Sequence, residues 1–228
     1  MELAALALAP GLALGSFLNV VAARVPRKTS IVKPASACMA CKTPIARRDN
    51  VPVVSWLLLR GRCRACRTRI SPLYPAVELA TALLIAGCVL AFGLSGRMVV
   101  AAFFCAVLVA ISAIDLTHRI IPNRIVLPAF LVVLAAQTLL EPSPEWALAA
   151  LGASGFLFLA VLIHPAGMGM GDVKLALLMG AMLGRTVPVA LMLGMLAALV
   201  PAVFRWPATA RRPGRWGFPS APSWRWDP

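Results

Sequence analysis

The sequence predicts an all-α, polytopic integral membrane protein of about seven transmembrane helices, with a small zinc-bound loop domain on its cytoplasmic side. Three observations predict it. Of 228 residues, 61% are hydrophobic and 13% are charged, whereas a soluble domain carries about a quarter charged residues. Apolar stretches recur to about residue 204, which excludes a secreted domain behind a lone signal peptide and excludes disorder, which needs low hydrophobicity. Their runs of Leu, Ala and Val lack the strand-length alternation of a membrane β-barrel. The third observation is charge placement: twelve of the 22 basic residues lie between Arg24 and Arg69, where Asp49 is the only acid.

The apolar segments run over 3–23, 73–93, 96–114, 124–140, 146–163, 173–184 and 186–204. A full span needs about 20 residues, so the sixth is short and is to be tilted, broken or merged with its neighbour. The positive-inside rule puts Arg24–Arg69 in the cytoplasm and the N-terminus outside. Alternation then puts 20 of the 22 basic residues inside and leaves only Arg97 and Arg185 outside, with Glu141 and Glu145 outside and without a basic neighbour. The expected organisation is a first transmembrane helix at 1–24, a zinc-binding loop domain at 25–72, a membrane core at 73–204 and a basic tail at 205–228.

The loop reads Cys38-Met-Ala-Cys41, then 21 residues, then Cys63-Arg-Ala-Cys66. Two such knuckles at this separation point to a closed tetrathiolate zinc site of structural type. Neighbouring Arg and Lys favour the thiolate form, and a cytosolic loop argues against structural disulfides. A segment this short has too little core to fold alone, so the metal is expected to supply much of its stability. Redox dithiols or unconnected cysteines are the alternatives. Cys88 and Cys105 lie in apolar segments and read as small packing residues. Nucleic acid is excluded as a partner, because Trp56 is the only aromatic residue between Phe17 and Tyr74 and base stacking needs more.

Ionisable groups at membrane depth are functional candidates. Asp115 closes the third segment, in Ala113-Ile-Asp-Leu-Thr-His-Arg-Ile-Ile-Pro-Asn123, and Asp172 opens the sixth, in Gly167-Met-Gly-Met-Gly-Asp-Val-Lys174. The predicted topology puts both at the cytoplasmic side. Two carboxylates brought together share one proton, the arrangement of an aspartic protease. The charged one removes a proton from water; the protonated one polarises the scissile carbonyl and then donates to the leaving amine. Gly167, Gly169 and Gly171 permit irregular backbone and close approach of another chain, and an extended substrate pairs with that backbone by strand addition. Gly169, Gly171, Lys174 and Glu78 are the substrate-binding candidates. The alternatives are a glycine-rich loop whose Asp172 caps the next helix, a transporter using Asp115 and Asp172 as an ion or proton site, and a membrane-anchored zinc-ribbon interaction module. Glu78 also reads as an interfacial acid pairing with loop arginines. His118, Arg119 and His164 read as interface residues, and Asn19 as a bond to a neighbouring helix.

Gly15-Ser-Phe-Leu-Asn-Val20, the paired Cys knuckles, Ile70-Ser-Pro-Leu-Tyr-Pro-Ala-Val-Glu78, the Asp115 segment through Ile121-Pro-Asn123, and Gly169-Met-Gly-Asp-Val-Lys-Leu175 occur in that order. Together, over about residues 10 to 185, they resemble the bacterial type IV prepilin peptidases, members of the GxGD aspartic proteases. The resemblance implies a multi-pass enzyme of the bacterial inner membrane. Such an enzyme cleaves the basic leader of type IV prepilins, or of type II secretion pseudopilins, after a glycine at the cytoplasmic face. It implies Asp115 and Asp172 as the catalytic pair. The cysteine domain is typical of bifunctional members, which then N-methylate the new terminus with S-adenosylmethionine. No glycine-rich dinucleotide fingerprint locates that cofactor. The implied partners are prepilin or pseudopilin substrates and membrane lipid, to which the charge of the basic loop is assigned.

Members of the family usually end in a further helix opened by a Pro-Phe-Gly-Pro-Phe-Leu-Ala-Leu-Gly-like string, whereas this chain ends Gly217-Phe-Pro-Ser-Ala-Pro-Ser-Trp-Arg-Trp-Asp-Pro228. Codons can be written for Phe218–Pro228 whose shifted frame spells that apolar string. The expectation is therefore a frameshift upstream of codon 218 and an eighth helix lost at the C-terminus. Resequencing the gene tests it.

Overall fold

A computed structural model describes residues 2–164 and 169–197. The apolar runs are helices, as they must be in lipid, where every backbone polar group needs an internal partner. In chain order they are α1 (Glu2–Arg24), the short α2 in the polar loop (Val54–Leu58), α3 (Leu73–Phe92), α4 (Gly96–His118), α5 (Asn123–Leu140), α6 (Glu145–Ile163) and α7 (Met170–Leu183). Among the described residues there is no strand, only two isolated bridges in the loop, Ala37 with Pro44 and Arg62 with Arg69.

Short turns make the consecutive helices antiparallel. Gly93, at φ 60°, ends α3, and Ser95 starts α4 by accepting the Met98 N–H on its Oγ at 3.2 Å. Arg119, in the left-handed region at φ 54°, ends α4 and donates its N–H to the Asp115 carbonyl at 2.8 Å. Pro122 then opens α5, its fixed φ and missing N–H suiting a helix start. The C-terminal end of α4 and the N-terminal ends of α5 and α7 therefore share one end of the bundle. The opposite end holds the starts of α4 and α6.

Among the described residues, six helices are long and apolar enough to cross a membrane, and the last of them, Met170–Ala197, takes in both segments that the sequence separates at Arg185. The hydropathy breaks there, whereas the backbone passes through a 3-10 turn, Gly184–Thr186. A second compact unit begins at Pro188; of it, residues 188–197 are described, and they are helical. The basic tail at 205–228, with its frameshift and eighth-helix expectations, lies outside the described residues.

One charge expectation is corrected. Glu141 and Glu145 do have basic neighbours: Arg97 pairs with Glu141, and Arg185 Nε lies 3.0 Å from Glu145 Oε2. The two arginines predicted to stand apart from the other basic residues are the two that meet these acids. The pairing was hidden because the partners are 44 and 40 residues apart in sequence.

Close helix contacts rest on missing side chains. A Cβ on Gly11 would sit 2.7 Å from the Ala82 Cα, and one on Gly15 would sit 2.6 Å from the Glu78 Cα. This is a small-residue seam of GxxxG spacing between α1 and α3. The inner core joins Ile111 of α4, Val126 and Val133 of α5, Ala150 of α6 and Leu178 of α7. Leu83, Leu131 and Leu159 face outward, a surface suited to hydrocarbon rather than water.

Candidate functional site: a thiol cluster and two aspartates

The four loop cysteines meet. The Sγ atoms of Cys38, Cys41, Cys63 and Cys66 all lie within 4.8 Å of one another, and Cys38 and Cys66 are 3.7 Å apart. A tetrahedral ion with metal–sulfur bonds of about 2.3 Å needs sulfurs about 3.8 Å apart, so the donor set fits a metal ion.

Each half of the cluster is the same small turn. Cys38 N–H donates to the Thr43 carbonyl at 3.0 Å, and Cys63 N–H donates to the Thr68 carbonyl at 2.9 Å. Lys42 and Arg67 both stand at φ 60°. Cys41 and Cys66 each lie 3.2 Å from a threonine Oγ1, of Thr43 and Thr68 respectively. These threonines escaped sequence reasoning, although the repeat Cys-x-x-Cys-basic-Thr was legible. The thiolate is favoured at Cys41 and Cys66, whereas the Cys38 thiol is held above its ordinary value. The Thr68 hydroxyl, with a backbone bond from the same residue, brings Cys66 down to about 6, and Thr43 lowers Cys41 in the same way.

The loop is fixed to the helices at several points. Arg24 donates to the carbonyls of Ser30 and Pro34 at 2.9 and 2.7 Å. Trp56 Nε1 donates to the Ile70 carbonyl at 3.2 Å over Gly61, whose φ is 64°. Asp49 holds Arg64 through both carboxylate oxygens. That guanidinium keeps the Asp49 carboxyl below its ordinary value. Glu78 is 7% exposed and accepts the Val53 N–H on Oε2 at 2.7 Å. It thus meets the loop through the backbone amide of Val53, which stands at φ 59°, and through no arginine among the described residues. Asn19 donates to the Tyr74 carbonyl on α3 at 3.0 Å, the helix-to-helix bond expected of it.

Asp115 lies in the last turn of α4 and Asp172 in the first turn of α7, at the same end of the bundle. Asp115 is exposed and Asp172 half-buried. Asp172 Oδ2 accepts the Gly169 N–H at 3.2 Å, so this carboxylate also caps its helix from the third position. Two contacts hold α7 against the turn between α4 and α5. Lys174 Nζ donates to Asn123 Oδ1 at 2.9 Å, and Ile121 packs so closely that a Cβ on Gly171 would sit 3.0 Å from it.

The glycines differ from one another. Gly169 is extended at φ −89°, but Gly171 is helical, and its bareness accommodates Ile121. Gly167 lies outside the described residues. His118 Nδ1 meets the Thr117 hydroxyl at 2.7 Å. Far from these groups in the sequence, Cys88 and Cys105 place their sulfurs 3.9 Å apart between α3 and α4. They pack against each other, as small residues in apolar helices do.

Two family models match the chain. Residues 10–92 match the model of the bacterial peptidase A24 N-terminal domain, and residues 102–203 match the model of the type IV leader peptidase family. The prepilin leader peptidase/N-methyltransferase of Bacillus subtilis strain 168 is 41% identical over 177 residues, covering 76% of this chain and 71% of that protein. The enzyme of the same name from Neisseria gonorrhoeae is 33% identical over 231 residues, covering 85% of this chain and 79% of that protein. The one from Myxococcus xanthus strain DK1622 is 46% identical over 125 residues, covering 55% and 37%. No solved structure matches the chain.

Proposed function

The chain belongs to the type IV leader peptidase family, and from that premise we propose how it acts. It is a multi-pass membrane enzyme that processes prepilins, an aspartic endopeptidase with N-methyltransferase activity. No finding supports the transporter reading, nor the interaction-module reading.

Asp115 and Asp172 are the catalytic pair. One carboxylate takes a proton from water; the other, protonated, polarises the scissile carbonyl and then protonates the leaving amine. The observation that carries this assignment is the join between the Asp115 turn and the start of α7, through Lys174 to Asn123 and Ile121 to Gly171. Two elements far apart in sequence are held together there, each ending in a motif acid. A substrate whose apolar helix lies in the bilayer presents its leader junction at this end. Lys174 and Glu78 act from behind: Lys174 fixes α7, and Glu78 fixes the loop. The substrates are type IV prepilins or type II secretion pseudopilins, cut after glycine.

Zinc is the ion that Cys38, Cys41, Cys63 and Cys66 hold, in a structural role. S-adenosylmethionine is the methyl donor. No described residue forms a recognisable cradle for it, and none is assigned to it. The positive-inside rule orients the loop and both aspartates toward the cytoplasm of a bacterial inner membrane.

Mass spectrometry of a prepilin co-expressed with the enzyme tests the reading. The expected product lacks its leader and carries an added methyl group. An intact precursor beside an inserted, folded enzyme would refute it.

A further inference from the structure

We propose that α2 and the arginines beside it form a docking site for anionic phospholipid headgroups, which seats the zinc loop on the bilayer surface. The inference rests on the membrane-spanning reading and on the inward orientation of the loop, and not on the cleavage chemistry.

Position comes first. The N–H of Val53, immediately before α2, is bound by Glu78, a residue of α3 that lies beyond its first turn. At the helical rise, that is about 7 Å along α3 from its first residue. The start of α2 is therefore held beside a helix that is entering the hydrocarbon.

Composition comes next. On α2, Leu57 is 61% exposed and Leu58 is 78% exposed, and Val54 is exposed as well. Directly beside them lies a cavity of about 510 Å3 lined by Leu58, Leu59, Arg60, Arg62, Arg64 and Arg67. Arg64 is engaged by Asp49. The side chains of Arg60, Arg62 and Arg67 make no hydrogen bond or ion pair among the described residues. Exposed leucines against a cluster of guanidinium groups are the two halves of an interfacial contact. The apolar part enters the acyl boundary, and the arginines bind phosphate with paired N–H donors. The same charge repels a basic partner, so a lipid surface suits this face better than a basic peptide does.

The test is hydrogen exchange on the full chain in nanodiscs of phosphatidylcholine, with and without phosphatidylglycerol. Phosphatidylglycerol is expected to slow exchange over residues 54–62 by about fivefold or more. The triple change Arg60→Gln, Arg62→Gln and Arg67→Gln is expected to remove that protection. Removing the same charge elsewhere in the loop, with Arg27→Gln, Lys28→Gln and Lys33→Gln, is expected to leave it in place. In the unaltered chain, salt at about 0.5 M is expected to reverse the effect, which needs no variant to fold. Exchange that ignores phosphatidylglycerol overturns the proposal, and so does protection surviving the first triple change or vanishing equally with the second. Protection in plain phosphatidylcholine on adding inorganic phosphate would assign the pocket to a soluble anion instead. Protection there on adding a prepilin peptide would assign the face to a protein. A failed prepilin assay leaves this result untouched, since the readout involves no cleavage.

Discussion

Lys174 donates its Nζ to Asn123 Oδ1 at 2.9 Å, across 51 residues of sequence. Asn123 opens α5, five residues after the end of the helix that carries Asp115, and Lys174 stands two residues after Asp172. The bond fixes the spacing between two chain segments at the end of the bundle where both acids lie. Lys174→Met and Asn123→Leu are each expected to lower prepilin cleavage about tenfold, the equivalent of about 1.4 kcal/mol. The double variant is expected to fall no further, because both changes remove one bond. Additive losses in the cleavage rate would show that the residues act separately.

Asp115→Asn and Asp172→Asn are each expected to reduce cleavage by at least about 100-fold, since the proposed mechanism needs a carboxyl group at both positions. The variants should still insert at normal levels. Asp115 has no side-chain partner to lose among the described residues, and asparagine at 172 still accepts the Gly169 N–H. Cleavage that persists in either variant would remove the pair from the chemistry.

Metal analysis of the purified chain is expected to give about one zinc per molecule, and none after Cys38→Ser combined with Cys63→Ser. Because the loop has little core of its own, the same variant should be cut by added protease within residues 25–72 while the helices stay intact. Unchanged zinc in the variant would put the metal elsewhere.

Glu78 and Gly15 are expected to matter to assembly rather than to chemistry. Gly15→Leu drives a side chain into the Glu78 backbone and should cost about 1–3 kcal/mol, read as a lowered unfolding temperature in detergent. Glu78→Leu removes the acceptor of the Val53 N–H, so hydrogen exchange at residues 51–55 should quicken, whereas Glu78→Gln retains an acceptor oxygen and should behave nearly as the unaltered chain.

The Asp49–Arg64 pair makes an acid-side prediction. Arg64, by hydrogen bonding first and charge second, holds Asp49 below its ordinary value of 3.8. A carboxyl depressed in the folded state contributes stability above its unfolded value, and that contribution is lost as pH falls through the folded value. Exchange protection around residues 48–64 is therefore expected to be flat from neutral pH down to about 5 and to decline below about 4. Asp49→Asn should abolish that step, and a decline that survives the change would place the titrating group elsewhere.

Much of this protein was legible in its sequence, because the forces concerned act on contiguous residues. Lipid compels an apolar run to be helical wherever it sits, and paired Cys knuckles converge on one point through turns encoded within a few positions. Two motif acids at opposite ends of a short antiparallel course must share an end of the bundle. What the sequence could not decide was which helix faces meet. In helices apolar all round, no hydrophobic stripe marks the buried side, so the partners of Arg97, Arg185, Lys174 and Glu78 were invisible until the packing was known. The same holds for glycine: the sequence reads Gly171 as open to irregular backbone or to close approach, and only the packing shows that the neighbour is Ile121. Local polarity and spacing fixed the elements, and steric complementarity between distant faces fixed their contacts.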